Sequence, residues 1–185
     1  MLRDVPRSIL SALCATALLA GLAGCASPTT ASAPVDEAAA ARSARMFERL
    51  KDLEGTWVSS GADAAMEGAE LRYRVTSGGS AVIETIFPGA QHEMVSVYTL
   101  DNGRLVMTHY CAMGNQPFMV ARTDTDEDTI HFVCERAGNT GSHADPHMHE
   151  GVFTLGDGTL HAEWTMFKDL DRGGTVVIDL VRADG

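Results

Sequence analysis

The sequence predicts an all-β fold, either a barrel or a sandwich, that is preceded by one helix. Two observations support this prediction. After Gly55 the apolar residues alternate with polar ones at a period of two, which is the pattern of half-buried strands. Turn signals rich in Gly, Asn and Asp interrupt the alternation about every 8–12 residues, a spacing typical of all-β domains. A chain of 185 residues leaves room for one such domain.

The helix is predicted from Asp36 to Leu53. Asp36 is a favourable N-cap residue, and Met46, Leu50 and Leu53 recur at steps of three and four residues. This spacing places the three side chains on one side of a helix as a single apolar stripe. Gly55 is expected to end the helical segment.

Ten strands are predicted, joined by two classes of connection. Short, polar turns alternate with longer and more varied loops, so an up-and-down meander would have tight turns at one end and long loops at the other. Binding sites commonly lie where variable loops cover a rigid scaffold, and we therefore expect a functional site at the long-loop end. The predicted strands are Thr56–Ser60, Ala69–Thr76, Ser80–Phe87, His92–Leu100, Arg104–Cys111, Pro117–Thr123, Thr129–Glu135, His147–Leu155, Thr159–Phe167 and Thr175–Arg182.

The charge of the chain excludes some classes of partner. It has 25 acidic and 14 basic side chains, a formal net charge of −11. Nucleic acid and anionic membrane surfaces need clustered Lys and Arg to neutralise phosphate, so we expect neither nucleic acid nor lipid headgroups as a direct partner.

The N-terminus has the pattern of a secretion signal. Arg3 and Arg7 form a short positive region, and an apolar stretch from Ser8 to Gly21 follows, too short to span a bilayer. The next residues, Leu22-Ala23-Gly24-Cys25, resemble the lipobox of bacterial lipoproteins. The resemblance implies that residues 1–24 are a signal peptide and that the thiol of Cys25 is acylated after cleavage.

The segment after Cys25 is predicted to be a tether. Residues 25–35 are rich in Pro, Thr, Ser and Ala, a composition that buries too little apolar area to fold. The β domain with its helix then covers residues 36–185. In proteobacterial lipoproteins, the absence of Asp directly after the acylated cysteine implies the outer membrane. We therefore expect the chain on the periplasmic face of that membrane, held by the lipid anchor at Cys25.

Two cysteines remain for the folded domain, Cys111 and Cys134. An oxidising compartment permits a disulfide between them. If the strand between them is fully paired, however, their Cα atoms are about 10 Å apart, beyond the roughly 7 Å that a disulfide spans. If that strand starts late, the strands on either side of it can approach each other at the rim closely enough for the disulfide. The sequence therefore does not decide whether the disulfide forms.

The hairpin turns predict which histidines face the interior. An Asn102-Gly103 turn pairs Asp101 with Arg104, and counting outward sets Ser96 opposite His109. The face that carries His109 is mainly apolar. This histidine is therefore expected inside the domain.

The turn at Asp157-Gly158 gives the same result for the next pair of histidines. Counting outward from it sets Gly151 opposite Trp164 and His149 opposite Met166. His147 and His149 thus share an apolar, interior face near the long-loop end. They are about 7 Å apart along the strand, close enough for both imidazoles to bind one metal ion.

The predicted metal site is a transition-metal site, for example for zinc, formed by His147, His149 and His109. One further ligand would come from Glu84, Glu163 or Cys111. The alternative is that the histidines bond to loop carbonyls and to Asp145 and only stabilise the mouth.

The second hypothesis is direct contact with a small organic ligand. The loop before Pro117 offers the amides of Asn115 and Gln116, which suit a polar small molecule. His92, which lies toward the same end, and the residues Glu84 and His109 are the other predicted ligand contacts. His92 and His109 are about 13 Å apart along the strand direction, too far to bind the same ion.

Several short segments of the sequence resemble those of a known fold. Gly55-Thr56-Trp57, placed between a helix and a β meander, resembles the start of the lipocalin-like domains of the calycin superfamily. Longer segments resemble the corresponding segments of a bacterial lipoprotein family that has a lipocalin-like domain of unknown function. The resemblance implies an antiparallel up-and-down β-barrel of about ten strands with an N-terminal helix, and it implies no particular reaction. These longer segments are Ser77–Glu84, His92–Met94, Thr108–Cys111, Gly114–Pro117 and Asp145–His149.

Three functions follow as hypotheses. The first is a lipid-anchored envelope protein that binds a small molecule or a metal ion at the long-loop mouth of the barrel. The second is a hydrolase or isomerase that uses a His-bound metal or a pair such as His109 with Glu84, although the sequence has no nucleophile elbow, phosphate loop or HExxH motif. The third is a structural scaffold of the envelope.

Overall fold

The fold is known from a computed structural model that describes residues 36–61 and 68–183. The predicted signal peptide, the predicted acylation site at Cys25 and the predicted tether lie outside the described residues. Within those residues, no helix has the length and apolarity needed to cross a membrane.

One helix, α1, spans Glu37–Lys51, close to the predicted bounds. Asp36 is its N-cap, and the Asp36 carboxylate accepts hydrogen bonds from the backbone amides of Ala38 and Ala39 at 3.0 and 3.3 Å. The side of the helix that faces the strands is apolar, as the spacing predicted. Its buried side chains include Met46, Phe47 and Leu50.

Ten strands follow α1 and close into a barrel. Each strand pairs antiparallel with its neighbours in sequence, and β1 pairs with β10, so the sheet has no open edge. This confirms the predicted all-β barrel and excludes the sandwich. A short 3-10 turn at Ser77–Gly79 joins β2 to β3. The strands are β1 Gly55–Ser59, β2 Glu70–Thr76, β3 Ala81–Ile86, β4 Met94–Asp101, β5 Arg104–Tyr110, β6 Gln116–Ala121, β7 Thr129–Gly138, β8 His147–Leu155, β9 Thr159–Lys168 and β10 Asp171–Arg182.

The hairpin registers agree with the predictions over most of their length. In the β4–β5 hairpin Ser96 lies opposite His109, and in the β8–β9 hairpin Gly151 lies opposite Trp164. His109 is therefore inside the barrel, where it is buried.

The predicted pairing of His149 with Met166 is wrong. A bulge interrupts β8 between Met148 and Glu150, so that Met148 lies opposite Met166 and Glu150 opposite Thr165. His149 is the extra residue, and strict alternation of faces does not hold across a bulge.

The β9–β10 connection also differs from the prediction. The predicted strands end at Phe167 and resume at Thr175, which leaves a loop between them, but Asp169 and Leu170 form a two-residue turn between paired strands. Both residues have a positive φ, of 55° and 65°. This is the conformation that a two-residue turn needs to match the twist of its strands.

The helix α1 covers the tight-turn end of the barrel. Arg42 donates a hydrogen bond to the carbonyl oxygen of Thr125 at 2.6 Å, and Arg49 pairs with Asp128 at 2.9 Å. Thr125 and Asp128 belong to the tight β6–β7 connection. The helix therefore leaves the long-loop end for access to the interior.

Candidate functional site

A fully buried carboxylate lies inside the barrel. Glu84 on β3 accepts hydrogen bonds from the hydroxyls of Tyr73 on β2 and Tyr98 on β4, at 2.6 and 2.7 Å. Each tyrosine bonds to a different carboxylate oxygen. The two donors offset part of the cost of burying this group in an apolar core.

Ser96 connects this carboxylate to His109. It lies directly opposite Glu84 in the β3–β4 pair and opposite His109 in the β4–β5 pair. The Ser96 hydroxyl oxygen is 3.0 Å from Nδ1 of His109. Glu84, Ser96 and His109 thus form a polar row across three adjacent strands.

Burial determines the charge states of the row. It raises the pKa of Glu84 above the usual 4.5, although the hydroxyls of Tyr73, Tyr98 and Ser96 favour the charged carboxylate. Burial also lowers the pKa of His109 from 6.5 to about 4. His109 is therefore a neutral imidazole at pH 7.

An apolar cavity of about 120 Å³ lies beside His109 at the long-loop end. The imidazole ring is 4.9 Å from the ring of Trp164, measured between centroids. Nε2 of His109 is buried and has no hydrogen-bond partner among the described residues. The cavity is lined by Ile86, Phe87, Met94, His109, Met148, Trp164, Val176 and Ile178.

A second group, of one thiol and two imidazoles, lies where β7 and β8 approach the same end. The Sγ atom of Cys134 and one ring nitrogen each of His147 and His149 lie within 4.8 Å of one another. Cys134 and His147 are buried, and His149 is half-buried. A thiol and two imidazoles are ligands that transition metals prefer, so this group could hold such an ion.

Hydrogen bonds orient the two imidazoles. Nδ1 of His147 donates to the carbonyl oxygen of Asp145 at 2.7 Å, since a carbonyl can only accept. Nε2 of His147 is then a lone-pair acceptor, and it lies 3.0 Å from Nδ1 of His149. The His149 ring stacks on Phe167 with centroids 3.8 Å apart.

The loop before β8 is fixed beside this group. The Asp145 carboxylate accepts hydrogen bonds from the backbone amides of Gly141 and Ser142, which lower its pKa. His143 lies on this loop, and its ring centroid is 4.8 Å from that of His147.

The predicted metal ligands are only partly brought together. His147 and His149 meet as predicted, but His109 is not a member of their group and lines the apolar cavity instead. Glu163 pairs with His161 at the exposed surface, 3.1 Å away. His147 bonds to the backbone carbonyl of Asp145, which is the loop-carbonyl contact that the alternative hypothesis predicted.

Cys111 and Cys134, between which the sequence leaves a disulfide open, are both free thiols in the described part of the chain. Cys134 belongs to the group with His147 and His149, whereas Cys111 does not. Burial raises the pKa of the Cys134 thiol to about 11.

The predicted contacts to an organic ligand are spread over the mouth. Asn115 is buried, donates to the carbonyl oxygen of Pro146 at 2.9 Å, and leaves its own Oδ1 without a partner among the described residues. The Gln116 amide donates to the carbonyl of Gly114. His92 is exposed and contacts the cavity-lining residue Phe87, with ring centroids 4.8 Å apart.

Sequence analysis missed the partners of the two central groups. The predicted β4–β5 hairpin places Ser96 opposite His109, but it does not connect them with Glu84, because the connection from Ile86 to Met94 is longer than a two-residue turn and determines no β3–β4 register. Cys134 was considered only as a disulfide partner, because the distance between β7 and the bulge in β8 cannot be obtained from hairpin counting.

Comparisons with known proteins give no family assignment. No protein-family model matches the chain, and neither does any curated protein.

Proposed function

We propose that this protein is a lipid-anchored ligand-binding barrel of the bacterial envelope that holds a small, largely apolar molecule in the cavity beside His109. The observation that supports it best is that His109 lines an otherwise apolar cavity while its buried Nε2 has no hydrogen-bond partner among the described residues. A buried polar group without a partner costs free energy, and a ligand that bonds to it would recover that cost.

The size of the cavity limits the ligand. A volume of about 120 Å³ is slightly below that of an apolar cavity known to bind benzene, about 150 Å³. Val176 lines the cavity and is 37% exposed, so the cavity reaches the surface beside this residue. A single-ring compound or a short branched chain is the expected occupant, with its polar group toward His109.

The charge state of His109 defines the polar contact. With its pKa lowered to about 4, the imidazole is neutral at pH 7 and would offer a hydrogen bond rather than an ion pair. We therefore propose neutral ligands that carry one hydroxyl or amine, and not carboxylates or phosphates.

Phenol and toluene form a matched pair of probes for this proposal. They have the same shape, and phenol alone can bond to Nε2. Calorimetric titration of the purified protein at pH 7 is expected to show phenol binding about tenfold more tightly than toluene, the effect of one neutral hydrogen bond. In His109→Phe this preference should disappear. Equal affinities in the unaltered protein, or no binding of either probe at millimolar concentration, would refute the proposal.

A transition metal ion such as zinc is the second candidate ligand of the mouth. One observation favours it, namely the approach of one thiol and two imidazole nitrogens to within 4.8 Å of one another. This group does not line the apolar cavity, so metal binding and small-molecule binding can be tested separately.

A further inference from the structure

We infer that Cys134, His147 and His149 form a site for one zinc-like divalent ion, and that the imidazole of His143 is its fourth ligand. The inference rests on the second candidate function and supplies the ligand set for it. Cys134 and His143 are new to the site, since the sequence pointed to His147, His149 and His109.

The distances suit a single ion. Zinc binds cysteine sulfur at about 2.3 Å and histidine nitrogen at about 2.0–2.1 Å, so two nitrogen ligands of a tetrahedral ion lie about 3.3 Å apart. Nε2 of His147 and Nδ1 of His149 are 3.0 Å apart, and the Cys134 sulfur lies within 4.8 Å of one ring nitrogen of each histidine. Small side-chain rotations would bring all three atoms to bonding distance.

The ligand chemistry selects the class of metal. One thiolate with two or three imidazoles suits zinc, cobalt(II) and other borderline-soft ions, whereas magnesium and calcium require oxygen ligands. The side chains of the group contribute one sulfur and two nitrogens, and no carboxylate lies within it.

The surroundings of His147 resemble those of a metal ligand. Metal-bound histidines usually donate their second ring N–H to a carbonyl or carboxylate, which fixes the tautomer. His147 donates Nδ1–H to the carbonyl of Asp145, so its Nε2 lone pair is directed at the group. The Asn115 amide bonds to the neighbouring Pro146 carbonyl and supports the same segment.

The bulge in β8 explains how His149 enters the group. Without it, His149 would lie opposite Met166, but the bulge shifts this position to Met148, which lines the cavity instead. His149 is thereby free to pack against Phe167 beside His147. Bulges often re-aim a side chain near a functional site, as this one does.

His143 is placed to complete the coordination. It is exposed on the loop that Asp145 fixes, and its ring centroid lies 4.8 Å from that of His147 and 5.4 Å from that of His149. Structural zinc sites have four protein ligands, and His143 is the adjacent imidazole that can supply the fourth.

Metal binding releases one proton from the site to solvent. The Cys134 thiol releases its proton to solvent, and the thiolate bonds to the metal. In the metal-free protein, Nδ1 of His149 must carry the hydrogen that bonds to Nε2 of His147. On binding, this proton leaves Nδ1 and solvent protonates Nε2 of His149, so its net protonation is unchanged.

Cobalt(II) titration of the full-length protein tests the site, because a Co–thiolate bond gives a charge-transfer band in the near ultraviolet. We expect one equivalent of Co²⁺ to produce this band and one equivalent of Zn²⁺ to abolish it. Elemental analysis after dialysis should then find one zinc per chain.

Substitution of each proposed ligand tests which side chains bind the metal. Cys134→Ser should abolish the thiolate band, whereas the matched control Cys111→Ser should retain it, because Cys111 is a free thiol outside the group. His149→Ala should weaken metal binding by more than about 100-fold, and His143→Ala by about 10–100-fold with the band retained.

The outcomes separate this inference from the cavity proposal. Circular dichroism of each metal-free variant checks folding, and His149→Ala serves if Cys134→Ser does not fold, because His149 is only half-buried. No stoichiometric metal in the folded protein, or a thiolate band that depends on Cys111 instead of Cys134, overturns the metal site. Phenol binding is measured on the same samples and reports on the cavity alone.

Discussion

Ser96 on β4 lies opposite both Glu84 on β3 and His109 on β5, and its hydroxyl oxygen is 3.0 Å from Nδ1 of His109. One small side chain therefore stands between a buried carboxylate and a buried imidazole. Because Ser96 bonds to Nδ1, Nε2 is the ring nitrogen of His109 that has no hydrogen-bond partner among the described residues. Because the carboxyl group and the imidazole are both titratable, the pH dependence of the unfolding free energy reports their protonation.

His109 is expected to make folding sensitive to acid. An unfolded imidazole takes up a proton near pH 6.5, whereas burial holds the pKa of folded His109 at about 4. Stability from this group is therefore fully present above pH 6.5 and is lost as the pH falls toward 4, by on the order of 3 kcal/mol. Urea unfolding of the unaltered protein and of His109→Phe at several pH values measures the effect as a difference.

The control for this experiment is His92→Phe, because His92 is an exposed histidine outside the buried row. Its difference curve should be flat between pH 4 and 6.5. The charged and hydroxyl groups that face His109 through Ser96 are Glu84, Tyr73 and Tyr98, and they are the same in both variants. A flat difference curve for His109→Phe as well would show that the buried imidazole titrates normally.

Glu84 is expected to have the opposite effect on stability. Its folded pKa lies above the unfolded value of 4.5, so the folded state retains a proton that the unfolded state has already lost. The contribution is fully present below pH 4.5 and is lost as the pH rises through the folded pKa. In Glu84→Gln this loss should be absent, which comparison of unfolding free energies at pH 4.5 and above would show.

A second comparison separates the carboxylate from its hydrogen bonds. Tyr98→Phe removes one donor to Glu84 but leaves the carboxyl group in place. Because the lost bond favoured the charged form, the pKa of Glu84 should rise further and the loss of stability should extend to higher pH. A pH profile of Tyr98→Phe that matches that of the unaltered protein would contradict the hydrogen-bond assignment.

Most of the fold could be predicted from the sequence because turns and periodicity are local signals. Asn102-Gly103 determined the β4–β5 register, and the structure reproduces it from Asp101–Arg104 to Ser96–His109. The bulge at His149 escaped prediction because a strand with one extra residue keeps the same composition as a regular one.

The candidate site was predictable only within single hairpins. Counting placed His109 inside and brought His147 close to His149, since each relation depends on one turn or one strand. Cys134 joins them across the β7–β8 pair, whose connection is an irregular loop that determines no register. The separation of His109 from the other histidines likewise depends on the width of the closed barrel, which no local pattern determines.

The helix α1 is expected to contribute strongly to stability through Leu50, which is fully buried at the tight-turn end. Leu50→Ala should lower the free energy of unfolding by about 2–5 kcal/mol, because it removes buried methyl groups and leaves a cavity. Leu170→Ala is the matched control, since Leu170 is 66% exposed and its truncation should change stability by less than about 0.5 kcal/mol. Equal effects of the two substitutions in urea unfolding would show that α1 does not seal the barrel.

The proposed lipid anchor makes Cys25 the attachment point of the chain. In Cys25→Ala the acylated thiol is missing, so labelled palmitate should no longer be incorporated and the protein should leave the membrane fraction. Cys14→Ala is the control, because Cys14 lies within residues 1–24, which cleavage would remove, and its loss should leave the label unchanged. Cys111 and Cys134 lie in the barrel, so palmitate that persists in Cys25→Ala would place acylation elsewhere and remove the reason for a tether at residues 25–35.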